Sequence, residues 1–443
     1  MRVSTRASRT NKTEQFILAS MGFFWCFLMW FASAAFSPSI AEDYGLSIAQ
    51  LGILASSAIW LAPVGRIVAG WAADRIGAPN TFAIILVFTG LFSIGSAFAS
   101  SYNVLFIMRV VVAMAGVSFV VGIQHVAQWF EDKEIGLAEG LFAGTGNVGA
   151  GMGALLLPRI YGTNYSDAFL HLGLVALLIG AVYYWRGVAA KTEQIARRAA
   201  AVATPRDSLF VWTRYCAIAL MLAYAMAFGL EIGMNAWLPG YYAKGFSEEI
   251  KRLGFTGAVS VQVAAGTFAA VESFNASLWR PFSGYMSDIW QRKGWMPFPI
   301  ISKHLPYSPR IHWLAMALVL ITIMMVLLTV AGLLGYLHMS VLVLAFFGIA
   351  IAFGTGGTFA IVPLMFRDRP GAAAGFIGGF STGGGIIYPL VYGFLPNIHM
   401  GYAFVALSMF IPIILFYFWT MRYERHPEEH GMGSKEHWLG TAA

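Results

Sequence analysis

The chain has 443 residues, 58% of them hydrophobic and only 11% charged, with a mean hydropathy of +0.69. A soluble domain carries about 25% charged residues, so the composition excludes a soluble enzyme or binding module and describes a membrane protein. The net charge of +7 is then a topology signal rather than a nucleic-acid footprint, and no nucleic-acid partner is expected.

In chain order, a basic polar tail, 1–15, comes first. A membrane-crossing helix needs about 20 mostly apolar residues. Twelve such stretches follow, at 16–39, 50–70, 81–100, 104–126, 137–157, 168–186, 214–238, 262–286, 313–336, 340–363, 372–394 and 402–421; they are spans 1 to 12 below. Span 1 is as long as a full crossing and lacks a clear small-residue cleavage site, so it reads as a transmembrane helix in preference to a signal peptide. Most of the 28 Lys and Arg residues fall on one side if both termini are cytoplasmic, and that bias places the termini inside. The basic, Ala-rich segment 187–213 divides six spans from six. The expected organisation is a first bundle at 16–186, a linker at 187–213, a second bundle at 214–421 and a tail at 422–443. Cys26 and Cys216 form neither a disulfide framework nor a zinc spacing.

The halves repeat. Arg66–Gly70–Asp74 and Arg280–Gly284–Asp288 share one spacing. Trp129–Gly140 is similar to Met365–Gly375, each leading into a glycine-rich span, and each such span leads to a Pro-x-x-Tyr-Gly element, Pro158–Gly162 and Pro389–Gly393. Parallel six-span repeats with a site at the midplane between them describe a secondary transporter. An arginine inside an apolar span costs about 2.5–3.5 kcal/mol on insertion scales and marks a substrate or ion path. The guanidinium fork, charged at any working pH, suits a planar oxyanion. Arg66 and Arg280 therefore read as a paired anion clamp, against the plainer reading that each pairs permanently with an acid or a carbonyl. Arg109 reads as a buried structural ion pair and His125 as a satisfied structural histidine. The glycine runs read first as packing surfaces. Glu231 and Glu272 are intramembrane carboxylates that could carry protons, ligate a hard cation or neutralise an arginine.

Over nearly its whole length the chain resembles the major facilitator superfamily, an all-α membrane fold of twelve transmembrane helices in two pseudo-symmetric six-helix bundles. GWAADRIG, Gly70–Gly77, is similar to the superfamily's loop motif, which implies gating roles for Gly70, Asp74, Arg75 and Gly77, with Asp288 as the second-half counterpart. Within the superfamily the chain resembles the nitrate/nitrite porters. That resemblance implies substrate-binding roles for Arg66 on span 2 and Arg280 on span 8. It adds Asn147 in the span 5 sequence GTGNVG, the pair Tyr224 and Phe228 on span 7, and Thr382 on span 11, where those porters carry Asn. The nitrate/nitrite exchangers lack protonatable acids in their pathway, whereas this chain carries Glu231 on span 7 and Glu272 on span 8.

Two functions follow. One is a transporter of a small inorganic anion, by nitrate/nitrite exchange or proton-coupled uptake, working by alternating access in a bacterial inner membrane. The other is a magnetosome-type member of the same branch in a magnetosome membrane, moving a cation such as iron or another small solute with the two glutamates for coupling. A sensor that has lost transport is a third class, disfavoured by the retained arginines. No nucleophile–base pair, P-loop or metal-ligand cluster points to an enzyme. No cofactor is expected, and a monomer is the simplest assembly.

Overall fold

The computed structural model describes residues 11–130, 132–190, 214–301, 307–366 and 370–425. The linker, apart from its first residues, and the distal parts of both tails lie outside the described residues, as do Arg367 and Arg369. The described residues are helical, with no strand among them. All twelve expected stretches are helical, and most extend beyond their expected limits because polar residues continue a helix past the hydrocarbon. Span 2 runs on to Ile76 through Ala62–Ile76, span 7 to Gly245 through Leu230–Gly245, and span 8 to Lys293 through Arg280–Lys293.

The helices are broken at places that later carry chemistry. Span 1 consists of Lys12–Trp30, Ala32–Ala35 and Ser37–Asp43. Span 2 is Ile48–Ser57, a short turn, then Ala62–Ile76 with a proline in its first turn, where a missing N–H costs nothing. Span 7 is Tyr215–Tyr224, a π-helical turn at Ala225–Gly229, and Leu230–Gly245. Span 8 is Ala258–Leu278 followed by Arg280–Lys293. Span 11 is Pro370–Ser381 followed by Gly383–Phe394. Such breaks leave carbonyls without intrahelical partners, and inside a membrane these must be satisfied by the protein.

The halves meet tightly at the end of the bundle remote from the N-terminus. Span 2 lies against span 11 there so closely that a Cβ on Gly52 would stand 2.6 Å from Pro389 O and 2.8 Å from Gly393 Cα. The Ser56 hydroxyl donates to Ile386 O at 2.8 Å, and Lys244 Nζ donates to Leu46 O at 3.0 Å. Gln262 of span 8 accepts from the Ser39 N–H at 3.1 Å and the Ser39 hydroxyl at 2.5 Å, and donates to Gly162 O at 2.7 Å. Trp30 and Trp237 line a residual cavity of about 10 Å³ beneath this closure, with Ser37 and Gly240. At the end that carries the N-terminus, a Cβ on Gly70, Gly140, Gly284 or Gly379 would meet nothing within 4 Å. The end remote from the N-terminus, where these inter-half contacts gather, is called the closed end below.

Candidate functional site

Arg66 sits one turn into the second piece of span 2, with a relative exposure of 7%. Its Nη1 donates to Gly378 O at 2.8 Å, across the interface between halves. Gly378 lies in the last turn of Pro370–Ser381, where carbonyls are orphaned and a cation interacts favourably with the helix dipole. The neighbouring orphan, Gly379 O, takes the Thr382 hydroxyl at 2.6 Å. The break in span 11 thus explains Thr382: it is buried and bonded to its own backbone rather than aimed at the arginines.

Arg280 opens the second piece of span 8. Its Nη2 donates to both carboxylate oxygens of Glu231, at 2.8 and 2.5 Å. Glu231 is fully buried, and the Arg280 side chain is 12% exposed. Asn147, from the glycine-rich part of span 5, is buried and hydrogen-bonded to the same carboxylate. The Nε atoms of both Arg66 and Arg280 are buried without a partner.

The two arginines converge on one ring. The guanidinium carbons of Arg66 and Arg280 each stand 5.9 Å from the centroid of Phe228, within cation–π range, so they are at most twice that distance apart. Phe228 belongs to the π turn of span 7, a feature that recurs at functional sites. Tyr224 stacks on it at 5.1 Å with an interplanar angle of 12°, Phe359 meets Tyr224 edge-on at 4.9 Å, and Phe119 lies 6.3 Å from Phe228. The turn is held by close backbone packing against the break in span 11: a Cβ on Gly229 would lie 2.5 Å from Ser381 O, and one on Gly384 would lie 2.5 Å from Ala225 O.

Glu272, two turns before Arg280 and toward the closed end, is fully buried, with Glu231 and Arg280 as charged neighbours. Neither of its oxygens receives a hydrogen bond of good geometry. The adjacent Ser273 hydroxyl is within reach, but its single proton is directed to Asn235 Oδ1, while Asn235 Nδ2 is left unpartnered. Turning the Asn235 amide over, an exchange of N for O that leaves the shape unchanged, lets Asn235 donate to Ser273 and Ser273 to Glu272.

Of the residues expected from sequence, Arg66, Arg280, Tyr224, Phe228, Asn147 and Glu231 come together, with Glu272 close by. The loop-motif residues lie apart, at the end that carries the N-terminus. Gly77 turns the chain between spans 2 and 3 with φ of 88°, a conformation open mainly to glycine. Arg75 lies over the Trp71 ring at 4.2 Å, and Asp288 pairs with Arg310 at 2.6 Å. The Asp74 side chain lies outside the described residues. Arg109 does not form the expected ion pair: its Nη2 donates to Met29 O at 2.7 Å and Trp30 O at 3.1 Å, the carbonyls orphaned where span 1 breaks, and its guanidinium lies over Phe169 at 4.4 Å. His125 is bonded to Tyr183 OH at 2.6 Å and Val188 O at 3.3 Å. Sequence reasoning missed Gly378 O, Phe119 and Phe359, since a carbonyl has no sequence signal and an aromatic in an apolar span does not stand out.

A family model described as the Major Facilitator Superfamily matches residues 18–303. The chain belongs to the major facilitator superfamily. This facilitator chain is accordingly a transporter-family protein and not an enzyme. It is 26% identical to the "Probable nitrate/nitrite antiporter NarK1" of Thermus thermophilus, covering 87% of this chain and 86% of that one. It is 23% identical to the "Nitrate/nitrite transporter NrtP" of Nostoc punctiforme, over 84% and 85% of the two chains. With the "High affinity nitrate transporter 2.7" of Arabidopsis thaliana it shares 23% identity over 85% and 76%. Among solved structures, an inward-facing bacterial homologue of the human lysosomal transporter Spinster superposes with a TM-score of 0.69 at 14% identity, over 94% of this facilitator and 98% of that protein. A D-xylose–proton symporter gives a TM-score of 0.63 at 13% identity, over 91% and 97%. These two structures share the facilitator fold.

Proposed function

We propose that this facilitator carries a small inorganic anion of the nitrate or nitrite kind, held between Arg66 and Arg280 over Phe228. The observation that carries the reading is the convergence of two guanidiniums, one from each half, on a single ring. Arg66 is the receptive member: among the described residues it has a carbonyl and a π face but no carboxylate. An anion placed against the unengaged Nε edges gains charge-assisted hydrogen bonds from both halves, with Tyr224 and Asn147 as neutral polar neighbours. It also bridges the two halves, so that occupancy favours closure of bundle 16–186 against bundle 214–421, which the linker 187–213 joins. Alternating access follows, with Gly70, Asp74, Arg75, Gly77 and Asp288 acting at the gate on the side that carries the N-terminus, which is the cytoplasmic side if the termini lie inside a bacterial inner membrane.

The similar chains named above are nitrate or nitrite transporters by name, which favours the anion over the cation alternative. The engagement of Glu231 by Arg280 also weighs against a metal there, since a cation would have to compete with a guanidinium at 2.5 Å. Purified protein in liposomes loaded with nitrite tests the reading: saturable nitrate uptake is expected, and its absence at every pH overturns it.

A further inference from the structure

We propose that Glu231 is a built-in stand-in for the transported anion: in the empty carrier it occupies Arg280 in the anion's place, and anion binding releases it as a protonated acid, so that a proton travels with each anion. The proposal rests on the reading that the anion is held by Arg66 and Arg280, and it adds the coupling to that reading.

The argument begins with the asymmetry of the two arginines. Arg280 Nη2 already serves two carboxylate oxygens, at 2.8 and 2.5 Å, an arrangement chemically equivalent to a bound oxyanion. Among the described residues Arg66 is held by Gly378 O and Phe228, with no carboxylate. An empty carrier with both guanidiniums uncompensated would resist closing around them. With Glu231 in place, one of the two charges is cancelled and the empty carrier can reorient, which an obligate exchanger cannot do. When an anion takes full possession of the clamp, Glu231 must give up Arg280. Among the described residues the one other cation nearby is Arg66, which the anion itself then occupies. The titratable and charged groups around it are Arg280 and Glu272 on span 8, Tyr224 on its own helix and Arg66 on span 2. Among the described residues span 5 contributes the amide of Asn147, and span 11 packs about half a turn away with Pro389 and Gly385 against Gly233. A carboxylate stripped of its cation in such a place is discharged by taking up a proton.

The balance is simple. On the side where the anion enters, the carboxylate gains one proton from water as the anion replaces it on the guanidinium. On the side of release the anion leaves, the acid loses that proton to water, and the carboxylate returns to Arg280. No bond other than O–H forms or breaks. Glu272 gives the proton a stepping stone on the closed side. It lies toward the closed end, is buried without a good donor on either oxygen, and adjoins Ser273, whose hydroxyl is bonded to Asn235, one helical turn beyond Glu231.

The test uses full-length protein with nitrate as the probe. In proteoliposomes, net nitrate uptake driven by an inward pH gradient is compared with nitrate/nitrite exchange at equal pH on both sides. For the wild type both proceed. For Glu231→Gln the ratio of net uptake to exchange is expected to fall at least tenfold, whatever the absolute rates. A second measurement needs no variant: adding nitrate to lightly buffered wild-type protein in detergent, with a pH indicator, should show about one proton taken up per anion bound, and adding chloride in its place sets the baseline. Nitrate flux or binding with no accompanying proton, or an unchanged ratio in Glu231→Gln, overturns this inference and leaves the anion reading standing. No nitrate flux in the wild type overturns the anion reading and this inference with it.

Discussion

Arg66 and Arg280 occupy matching places in the two halves, yet their surroundings differ. Arg280 is neutralised by a fully buried carboxylate. Arg66 caps a broken helix of the opposite half and faces a ring. Arg109 shows what a purely structural buried arginine looks like here: it also caps a broken helix, but one in its own half, and it touches neither the interface nor the shared ring. The contrast teaches that repeat symmetry predicts position and not electrostatic state. Breaking a buried ion pair by removing one partner strands a charge, whereas removing a carbonyl's donor strands only a weak acceptor.

The largest expected effect sharpens that contrast. Arg280→Ala leaves Glu231 buried and unpaired and should destabilise the fold by about 3–5 kcal/mol. Arg66→Ala removes one hydrogen bond to a carbonyl, worth about 1 kcal/mol. Thermal melting in detergent reads both, and equal losses would erase the distinction. Adding Glu231→Ala to Arg280→Ala comes next: removing the stranded acid should recover about 1–3 kcal/mol, a coupling of the size seen for contacting residues. A double variant less stable than Arg280→Ala alone would show that Glu231 is held by something other than the arginine. Smaller still is Phe228→Leu, which keeps the volume roughly apolar and deletes the face shared by both guanidiniums. It should weaken nitrate binding by about 0.5–2 kcal/mol, read by calorimetry. An unchanged affinity would make the convergence on that ring incidental.

Much of this was legible from residues alone. Twelve apolar stretches specify twelve helices because the bilayer leaves backbone groups no partner but the helix itself. The expense of an arginine in such a stretch marks Arg66 and Arg280 for the interior. Tyr224 and Phe228 share a helix face at i,i+4 spacing, but it was the resemblance to the nitrate/nitrite porters, not the spacing, that singled them out. The π turn that tilts this face was not legible, because it arises from close packing of Gly229 and Gly384 against span 11. Nor could sequence say which acid would meet Arg280. Glu272 shares its helix, but eight residues of rise separate them, whereas Glu231 reaches it from span 7. Arg109 was misjudged because it answers to carbonyls released by a helix break, as the Thr382 hydroxyl also does, and the breaks carry little sequence signal.

The central claim is that Arg66 is the receptive half of an anion clamp. Labelled nitrate uptake into nitrite-loaded proteoliposomes, wild type against Arg66→Lys at matched reconstitution, tests it most directly. Lysine keeps the charge but loses the planar fork. At about 1.5–3 kcal/mol for each hydrogen bond to a charged group, and tenfold for every 1.4 kcal/mol or so, uptake should fall by about a hundredfold or more while the melting temperature stays close to that of the wild type. Uptake by the variant at the wild-type rate, or no nitrate uptake by the wild type, would contradict it.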